Sequence, residues 1–435
     1  MFRKIFSKEK GNLYFKLFIF LLVSIPTLSS FFLILSIFAS SLNRKDEYLS
    51  DKWNFPFFII SILLLITTII QSFSITPDVL NNYSIANSWI GLMNWIPYFF
   101  LAWAVQPYIS SYESRRNTSI LLLSGSIPLL ISIFGQYFFK WYGPFNLLNG
   151  FIVWFQRPIT YDFGATGLFN NQNYTAVWLL SILPISLALI REPNKNKISR
   201  FFIFFITFCI FVAIYLTKSR SGLFGSLIGS LLLANSKYLL ILIPIILIFL
   251  TILILALIPI IPSLQPLALS IIPTKIISKF KLIGFSDLNY PRYIIWEKTF
   301  ELIGEKPFIG WGAASFPILY ESSFNNDWRY HTHNLFLELS QNYGIFPAFI
   351  LAIFIFILII RSFKIIYKEY KKSVLKKNVQ NIIFDKAWWS TTFLLVVTQM
   401  VDLQYFDYRI GALFWIFISG LICIVKRENK LYIKG

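Results

Sequence analysis

The sequence predicts an all-α integral membrane protein with about twelve membrane-spanning helices. Of its 435 residues 56% are hydrophobic and only 14% are charged, whereas soluble domains carry about 25% charged residues. The apolar residues gather into runs of about 20, the length that a helix needs to cross roughly 30 Å of hydrocarbon. These runs are apolar on every side, which excludes the alternating strands of a membrane β-barrel.

The number of spans follows from the apolar runs and from the two basic ends of the chain. The runs lie at 17–42, 56–73, 89–109, 118–139, 174–190, 201–217, 221–234, 238–262, 345–361, 388–406 and 410–425. Eleven spans would place the two ends on opposite sides, yet both ends are basic, and basic segments stay in the cytoplasm. We therefore predict that the first run is two short helices folded at Pro26-Thr27-Leu28-Ser29-Ser30, because proline and serine can break a helix. This gives twelve spans with both termini cytoplasmic.

The formal net charge of +19 fits this topology. The inner segments of the twelve-span arrangement hold 27 of the 39 Lys and Arg residues, and the outer segments hold the other 12. Basic loops on the inner side face the anionic leaflet of the membrane. The positive charge therefore predicts contact with membrane lipids, and no nucleic-acid partner is needed to explain it.

Two outer segments are unusually long in this topology, 140–173 and 263–344, both within one polytopic domain that spans 1–435. Long loops of this kind are usually functional. The second segment is balanced in charge and rich in aromatic residues and glycine. We predict that it forms a helical cap on the outer surface, with one amphipathic helix that begins at Asn289-Tyr290-Pro291, since proline is favoured in a first turn.

Charged residues beside apolar spans are costly, so each one is a candidate site residue. Arg220 lies at the outer junction between two runs, where Ser219, Ser221 and Gly222 leave little bulk around it. Its planar guanidinium suits bidentate binding of phosphate or diphosphate. A side chain that only anchors the protein at the level of the lipid headgroups has the same spacing, so this alternative stays open.

Two further candidates belong to the long outer segment. Arg292 precedes the predicted amphipathic helix, and on its own it is equally consistent with a solvated charge. His333 precedes the next apolar span and is suited to act as a base towards a hydroxyl, or to donate a hydrogen bond to a developing charge. A purely structural histidine at a helix start is the alternative.

A metal site has little support in the sequence. His331 and His333 are two residues apart, so they do not share one helix face, and no cysteine cluster completes a zinc site. Cys209 and Cys423 both lie inside apolar runs and form no disulfide framework. We therefore predict that the protein uses no metal and no cofactor.

Four motifs, in order, resemble the O-antigen ligase/polymerase family of bacterial membrane glycosyltransferases. They are GLFNNQNYTA at 167–176, LTKSRSG at 216–222, PRYIIWEKTFELIGEKPFIGWGAASF at 291–316 and HNLFLELSQNYGIF at 333–346. The first departs from the family pattern at Gln172, where proline is expected. All four fall on the outer face that the charge distribution predicts.

The resemblance implies a metal-independent enzyme of the bacterial inner membrane that transfers a glycan from an undecaprenyl-diphosphate carrier to an acceptor hydroxyl. It implies that Arg220 and Arg292 hold the diphosphate and that His333 orients or deprotonates the acceptor. Asn173 and Asn334 are expected to shape the cavity. Asp162, Lys218, Glu338 and Asp402 are accessory candidates without an assigned role.

Several functions are compatible with these motifs. A ligase that uses a lipid A core acceptor is the first expectation, and a polymerase that extends an O-antigen or exopolysaccharide chain uses the same donor. A twelve-span transporter would require paired charges within spans, for which Asp402 and Asp407 are the few candidates. A passive scaffold is less attractive, because Arg220 beside a span is costly without a ligand.

Overall fold

The computed structural model describes residues 7–42, 44, 47–74, 83–160, 163–192, 196–234, 248, 251–252, 255–256, 263–272, 291–323, 330–375 and 382–432. Six of its helices are long and apolar enough to cross a membrane: Phe55–Phe73, Tyr112–Phe139, Gln172–Ile190, Lys197–Leu216, Ile345–Ser373 and Tyr408–Glu428. The predicted class, an all-α membrane protein, is confirmed, and the number of twelve spans stays a prediction. The chain forms two compact units, Met1–Leu233 with Lys306–Gly435, and Ala234–Glu305.

The first unit begins with two short helices, α1 (Lys8–Leu21) and α2 (Pro26–Leu42), which pack against each other. The break expected around Pro26 is present, and Pro26 is the first residue of α2, where a missing N–H costs little. The Ser29 hydroxyl donates to the Phe18 carbonyl at 3.1 Å. This hydrogen bond ties the two helices together close to their turn.

The next part of the chain contains several interrupted helices. They are α3 (Glu47–Ser50), α4 (Phe55–Phe73), α5 (Ala86–Gly91), a 3-10 turn (Leu92–Asn94), α6 (Ile96–Ala104), α7 (Gln106–Ile109), α8 (Tyr112–Gly125) and α9 (Ile127–Phe139). The run at 89–109, predicted as one span, is thus divided. Pro97 and Pro107 explain the division, because proline lacks the N–H that would continue the preceding helix, and each stands near the start of a new one.

The outer segment 140–173 contains the one sheet in the described part of the chain, an antiparallel hairpin of β1 (Phe145–Leu147) and β2 (Ile152–Trp154). The hairpin is attached to the turn between α1 and α2. The Trp154 indole donates to the Ser24 carbonyl at 2.8 Å, and the Thr27 hydroxyl donates to the Phe151 carbonyl at 2.8 Å. The hairpin therefore marks the end of the bundle at which α1 and α2 meet.

Three helices follow, α10 (Gln172–Ile190), α11 (Lys197–Leu216) and α12 (Arg220–Leu233). The helix α10 is central, because 78% of the residues in its most apolar stretch are buried inside the protein. In the corresponding stretch of α11 only 22% are buried, and this helix exposes a row of phenylalanines. A Cβ added at Gly222 would lie 2.9 Å from the Ala176 Cβ, so the starts of α10 and α12 are in close contact.

The second unit contains two described helices, α13 (Gln265–Ile271) and α14 (Pro291–Glu305). The helix expected after Asn289-Tyr290 is present, and it begins at Pro291 as predicted. Lys298 and Glu301 form an ion pair at 3.0 Å on its surface. Most of the run at 238–262, and residues 273–290 of the predicted cap, lie outside the described residues, so the cap stays a prediction.

The chain then returns to the first unit with α15 (Phe316–Ser323), α16 (Leu335–Tyr343), α17 (Ile345–Leu375), α18 (Ile383–Val401) and α19 (Tyr408–Tyr432). The 31-residue α17 extends past the predicted run at 345–361, because the residues that follow, though charged, include many good helix formers. In the most apolar stretch of α19, 94% of the residues are buried inside the protein. Together with α10, it forms the interior of the unit.

A cluster of ion pairs marks one end of the bundle, called here the charged end. The fully buried Arg115 and Asp385, from the first turns of α8 and α18, approach to 2.7 Å. Arg427, near the end of α19, contacts Glu369 at 2.8 Å and Asp385 at 3.3 Å. Because α18 begins and α19 ends here, the end of α18 and the start of α19 lie at the opposite end, called the site end.

Candidate functional site

His333 lies in a tight turn that precedes α16 at the site end. Its backbone has φ of +57°, a conformation that residues other than glycine rarely adopt. Its N–H donates to His331 Nδ1 at 3.2 Å, and the neighbouring Thr332 N–H donates to the Glu338 carboxylate at 2.9 Å. Side chains on both sides of the residue thus hold the turn, which gives the imidazole a defined direction.

The carboxylate of Asp402, directly after α18, holds the imidazole ring. His333 Nδ1 lies 2.7 Å from Asp402 Oδ1, and Asn173 Nδ2 donates to Asp402 Oδ2 at 2.9 Å. A carboxylate only accepts hydrogen bonds, so His333 Nδ1 carries a proton, and in the neutral form of the ring Nε2 presents its lone pair. The contacts join Asn173, in the first turn of α10, to the end of α18 and to the turn before α16.

Asn334 fixes the start of α16 next to this group. Its side-chain oxygen accepts hydrogen bonds from the Phe336 and Leu337 N–H groups at 2.9 and 3.1 Å, which is the geometry of a helix N-cap. Its amide also donates to the Met400 carbonyl at 2.9 Å in the last turn of α18. Asn334 therefore holds α16 against α18 and keeps His333 within reach of Asp402.

A cavity of about 710 Å³ opens beside the histidine turn. Among its lining residues are Arg157, Asn171, Tyr174, His331, Glu338 and Asn342. This volume lies in the usual range for small-molecule sites. Aromatic rings, amides and a few ionisable groups together line a space that suits a polar ligand.

Glu338 is buried in the wall of this cavity, with 3% of its surface exposed. Burial raises the pKa of its carboxyl above the ordinary value, and hydrogen bonds from Thr332 and Asn342 oppose that shift. The carboxyl group that shapes the histidine turn is thus also a cavity residue. It was an unassigned candidate in the sequence.

Arg220 is the first residue of α12 and is exposed. In the part of the chain that the structure describes, its guanidinium pairs with no acidic side chain. The start of α12 packs on the start of α10, one turn from Asn173. The contacts therefore place Arg220 at the site end with His333, Asn173 and Asn334.

Arg157 is a cationic cavity residue that the sequence analysis missed. Its N–H donates to the Thr166 hydroxyl at 3.0 Å, and its carbonyl accepts a hydrogen bond from Gln136. Its guanidinium forms no ion pair with any described residue. The segment after it contacts the turn before Arg220, because the Lys218 ammonium donates to the Thr160 carbonyl at 2.8 Å. Two arginines thus stand on segments that contact each other.

The remaining sequence candidates are distributed differently. Arg292 lies in the first turn of α14, which belongs to the second unit, so its predicted place beside His333 stays a prediction. Lys218 is engaged with the Thr160 carbonyl. Asp162 lies outside the described residues. Asp407 forms a salt bridge at 2.6 Å with Arg409, which accounts for its charge at the start of α19.

Three side chains at the site offer metal-ligand atoms. The atoms of His331, His333 and Asp402 all lie within 4.8 Å of one another. Both oxygens of Asp402 already accept hydrogen bonds from protein groups, so the trio is satisfied as a hydrogen-bonded set. The expectation that the enzyme uses no metal stays a prediction.

Asp402 and Arg157 carried little signal of their role in the sequence. Asp402 is separated from His333 by 69 residues and from Asn173 by 229. In the sequence Asp402 was distinguished only as a carboxylate near the end of an apolar run. Arg157 follows a hairpin in a loop, where an arginine is usually solvated.

Comparison with known proteins confirms the resemblance to the O-antigen ligase family. Residues 203–353 match the family model described as O-antigen ligase. That stretch contains four of the five predicted site residues, Arg220, Arg292, His333 and Asn334, and the fifth, Asn173, lies before it.

The chain is also similar to a ComP-specific O-oligosaccharyltransferase from Acinetobacter baylyi. The two are 28% identical over 211 residues, which is 47% of this chain. The match spans only 36% of the length of that relative.

Proposed function

We propose, from its match to the O-antigen ligase family, that this chain transfers a glycan from an undecaprenyl-diphosphate carrier to an acceptor hydroxyl. The reaction takes place at the non-cytoplasmic face of the bacterial inner membrane, and both termini of the chain are cytoplasmic. The observation that carries the proposal is the 2.7 Å contact between His333 Nδ1 and Asp402 beside a polar cavity.

In this proposal His333 is the general base. Its Nε2 takes the proton of the acceptor hydroxyl while the hydroxyl oxygen attacks the anomeric carbon of the donor. The bond between that carbon and the phosphate oxygen breaks, and the electron pair stays on the diphosphate. The Asp402 carboxylate stabilises the imidazolium that forms and keeps the ring in the reactive tautomer. Asn173 holds Asp402 in place.

The arginines stabilise the leaving group. A diphosphate gains negative charge as the glycosidic bond breaks, so preorganised guanidinium groups favour the transition state over the ground state. We assign this role to Arg220 and Arg292, and the cavity position of Arg157 adds it as a third candidate. Cationic side chains would then perform the charge stabilisation that a metal ion performs in other transferases.

The carrier tail needs an apolar surface. A groove of about 350 Å³ between α9 and α11 is lined by apolar side chains such as Leu130, Phe134 and Phe205. The groove begins at the middle of the span formed by α8 and α9 and includes Trp141, just beyond its outer end. Its composition is compatible with an isoprenoid chain that lies along the bundle.

Three kinds of acceptor fit the proposed reaction. A lipid A core, as in an O-antigen ligase, is our first candidate, and a growing glycan chain would make the enzyme a polymerase. The similarity to a ComP-specific O-oligosaccharyltransferase favours a second candidate, a hydroxyl on a protein. All three acceptors present a hydroxyl, so the same base serves each of them.

The test uses the purified chain in lipid nanodiscs with lipid-linked glycan from its own host. We expect His333→Ala, Arg220→Ala and Arg292→Ala to abolish transfer while folding and insertion are retained. Arg361→Ala is the matched control, because Arg361 is exposed on α17, and transfer should be unchanged. Transfer at the normal rate by all three site variants would refute the proposal, and solute flux without transfer would favour a transporter.

A deletion strain identifies the acceptor. Long carrier-linked chains that accumulate would indicate a ligase, and single repeat units would indicate a polymerase. Loss of glycan from one protein, with normal surface polysaccharide, would indicate a protein acceptor.

A further inference from the structure

Two polar side chains of α16 face the cavity and have no role in the proposed chemistry. Glu338 and Asn342 are one helical turn apart, so they lie on one face of α16. They are 3% and 2% exposed, and both line the cavity. Polar groups buried to this degree in a membrane protein require partners.

Asn342 has an acceptor without a partner. Its amide Nδ2 donates to Glu338 Oε1 at 3.3 Å, whereas its Oδ1 is buried and receives no hydrogen bond from the described residues. Buried carbonyl oxygens are nearly always paired in folded proteins. An unpaired amide oxygen on a cavity residue therefore indicates a donor group that arrives with the ligand.

The position of Asn342 is rigid. Its backbone carbonyl accepts hydrogen bonds from the Gln71 side chain at 2.9 Å and from the Gly312 N–H at 3.0 Å. Gly310, with φ of +71°, packs so closely that an added Cβ would lie 2.6 Å from the Asn342 carbonyl carbon. The amide oxygen is thus held in place before a ligand binds, which lowers the entropic cost of recognition.

The hydrogen-bonding groups of Glu338 and Asn342 indicate which part of the substrate binds at α16. A carboxyl group and an amide oxygen both accept hydrogen bonds, and an ionised carboxylate repels phosphate. The diphosphate is therefore expected near Arg157 in the same cavity and not at α16. The hydroxyl groups of a sugar are hydrogen-bond donors, and such donors would pair with the acceptors on this face of α16.

We propose that Glu338 and Asn342 form a sugar-binding subsite, in which they accept hydrogen bonds from hydroxyl groups of the transferred glycan. This inference rests on the proposed function, and it names the part of the cavity that takes the sugar ring. Both side chains act in binding, and neither one takes part in proton transfer.

The experiment measures binding separately from transfer. Saturation-transfer NMR follows the oligosaccharide released from the host's lipid-linked glycan by mild acid, and the same oligosaccharide after complete O-methylation, which removes its hydroxyl donors. We expect the unmodified chain to bind the first and not the second. Asn342→Leu, similar in size but without an acceptor, should weaken binding of the first, and Glu338→Gln should weaken it less.

In transfer assays Asn342→Leu should raise KM for the lipid-linked glycan about fivefold to tenfold, the effect of one lost hydrogen bond, with kcat within about threefold. Gln341→Leu is the matched control: Gln341 is buried on the same helix, but it is not one of the described residues that line the cavity. It should leave KM unchanged.

Two results would overturn the subsite. One is equal binding of the native and O-methylated oligosaccharides by the unmodified chain. The other is unchanged binding and KM in both α16 variants. The NMR experiment measures binding and needs no turnover, so it tests the subsite alone. The proposed transfer activity fails separately, if the His333 and Arg220 variants transfer glycan at the normal rate.

Discussion

Replacement of Asp402 by asparagine perturbs the His333 contact with little change in shape. The carboxylate now accepts three hydrogen bonds, from His333 Nδ1, from the Leu403 N–H at 3.0 Å and from Asn173 Nδ2. An asparagine has only one oxygen for these three donors. In either orientation of its amide, an NH₂ group faces at least one donor, so the arrangement cannot be maintained.

The magnitude follows from the role of the base. If the NH₂ group faces His333, the ring must accept at Nδ1 and carry its proton on Nε2, where it no longer accepts the proton of the acceptor hydroxyl. Loss of general-base catalysis costs about 10²-fold to 10⁴-fold in kcat. Since Asp402 is only 5% exposed, loss of its charged hydrogen bonds also costs about 1.5–3 kcal/mol of stability per bond.

Single-turnover transfer by the purified Asp402→Asn variant, with the enzyme in excess over the lipid-linked glycan, measures the chemical step. Asp51→Asn is the matched control, because Asp51 pairs with Lys426 at the charged end, and its transfer rate should be unchanged. Thermal unfolding of both variants shows how much of each effect is loss of folded protein. A transfer rate for Asp402→Asn within threefold of that of the unmodified chain would refute the proposal that Asp402 supports His333 as the general base.

Three further predictions concern the frame of the site. Asn334→Ala removes the N-cap of α16 and should lower stability by about 1 kcal/mol, as measured by thermal unfolding. Asn334→Asp should restore the cap but not the hydrogen bond to the Met400 carbonyl, and therefore only part of the loss. Because burial raises the pKa of Glu338, the folded state binds a proton at this residue more tightly than the unfolded state, so stability from this group falls as pH rises. Glu338→Gln should therefore gain melting temperature relative to the unmodified chain as pH rises above the ordinary carboxyl pKa of 4.5, and a constant difference would contradict this. Arg115→Met leaves the buried Asp385 with the longer contact to Arg427 at 3.3 Å and should cost up to about 3–5 kcal/mol. The double variant with Asp385→Leu should recover most of this loss, and equal losses in the two variants would show that the pair is not the cause.

The hydropathy and charge of the sequence predicted the class of fold because both act locally. Twenty apolar residues in a row predict a span wherever they occur, and Pro26 and Pro291 indicated helix starts for the same local reason. The interrupted run at 89–109 shows the limit of this argument, since hydropathy does not register the backbone donors that Pro97 and Pro107 remove.

The site was partly predictable for a related reason. Arg220, His333, Asn173 and Asn334 stand in short motifs, and the structure places all four at the site end. Asp402 has no motif, because its role depends on α18 ending beside the starts of α10 and α16. That arrangement is a property of helix packing and not of any local pattern.

Asp402 follows α18, which packs against α10 and α19, and the most apolar stretches of α10 and α19 are 78% and 94% buried inside the protein. Bilayers of different thickness act on a protein through the helices that meet lipid, which tilt or shift to match the hydrocarbon. Here that adjustment falls on outer helices such as α11, while the geometry at His333 is set by an inner scaffold. The rate of the proposed reaction should accordingly vary little between short-chain and long-chain phospholipids.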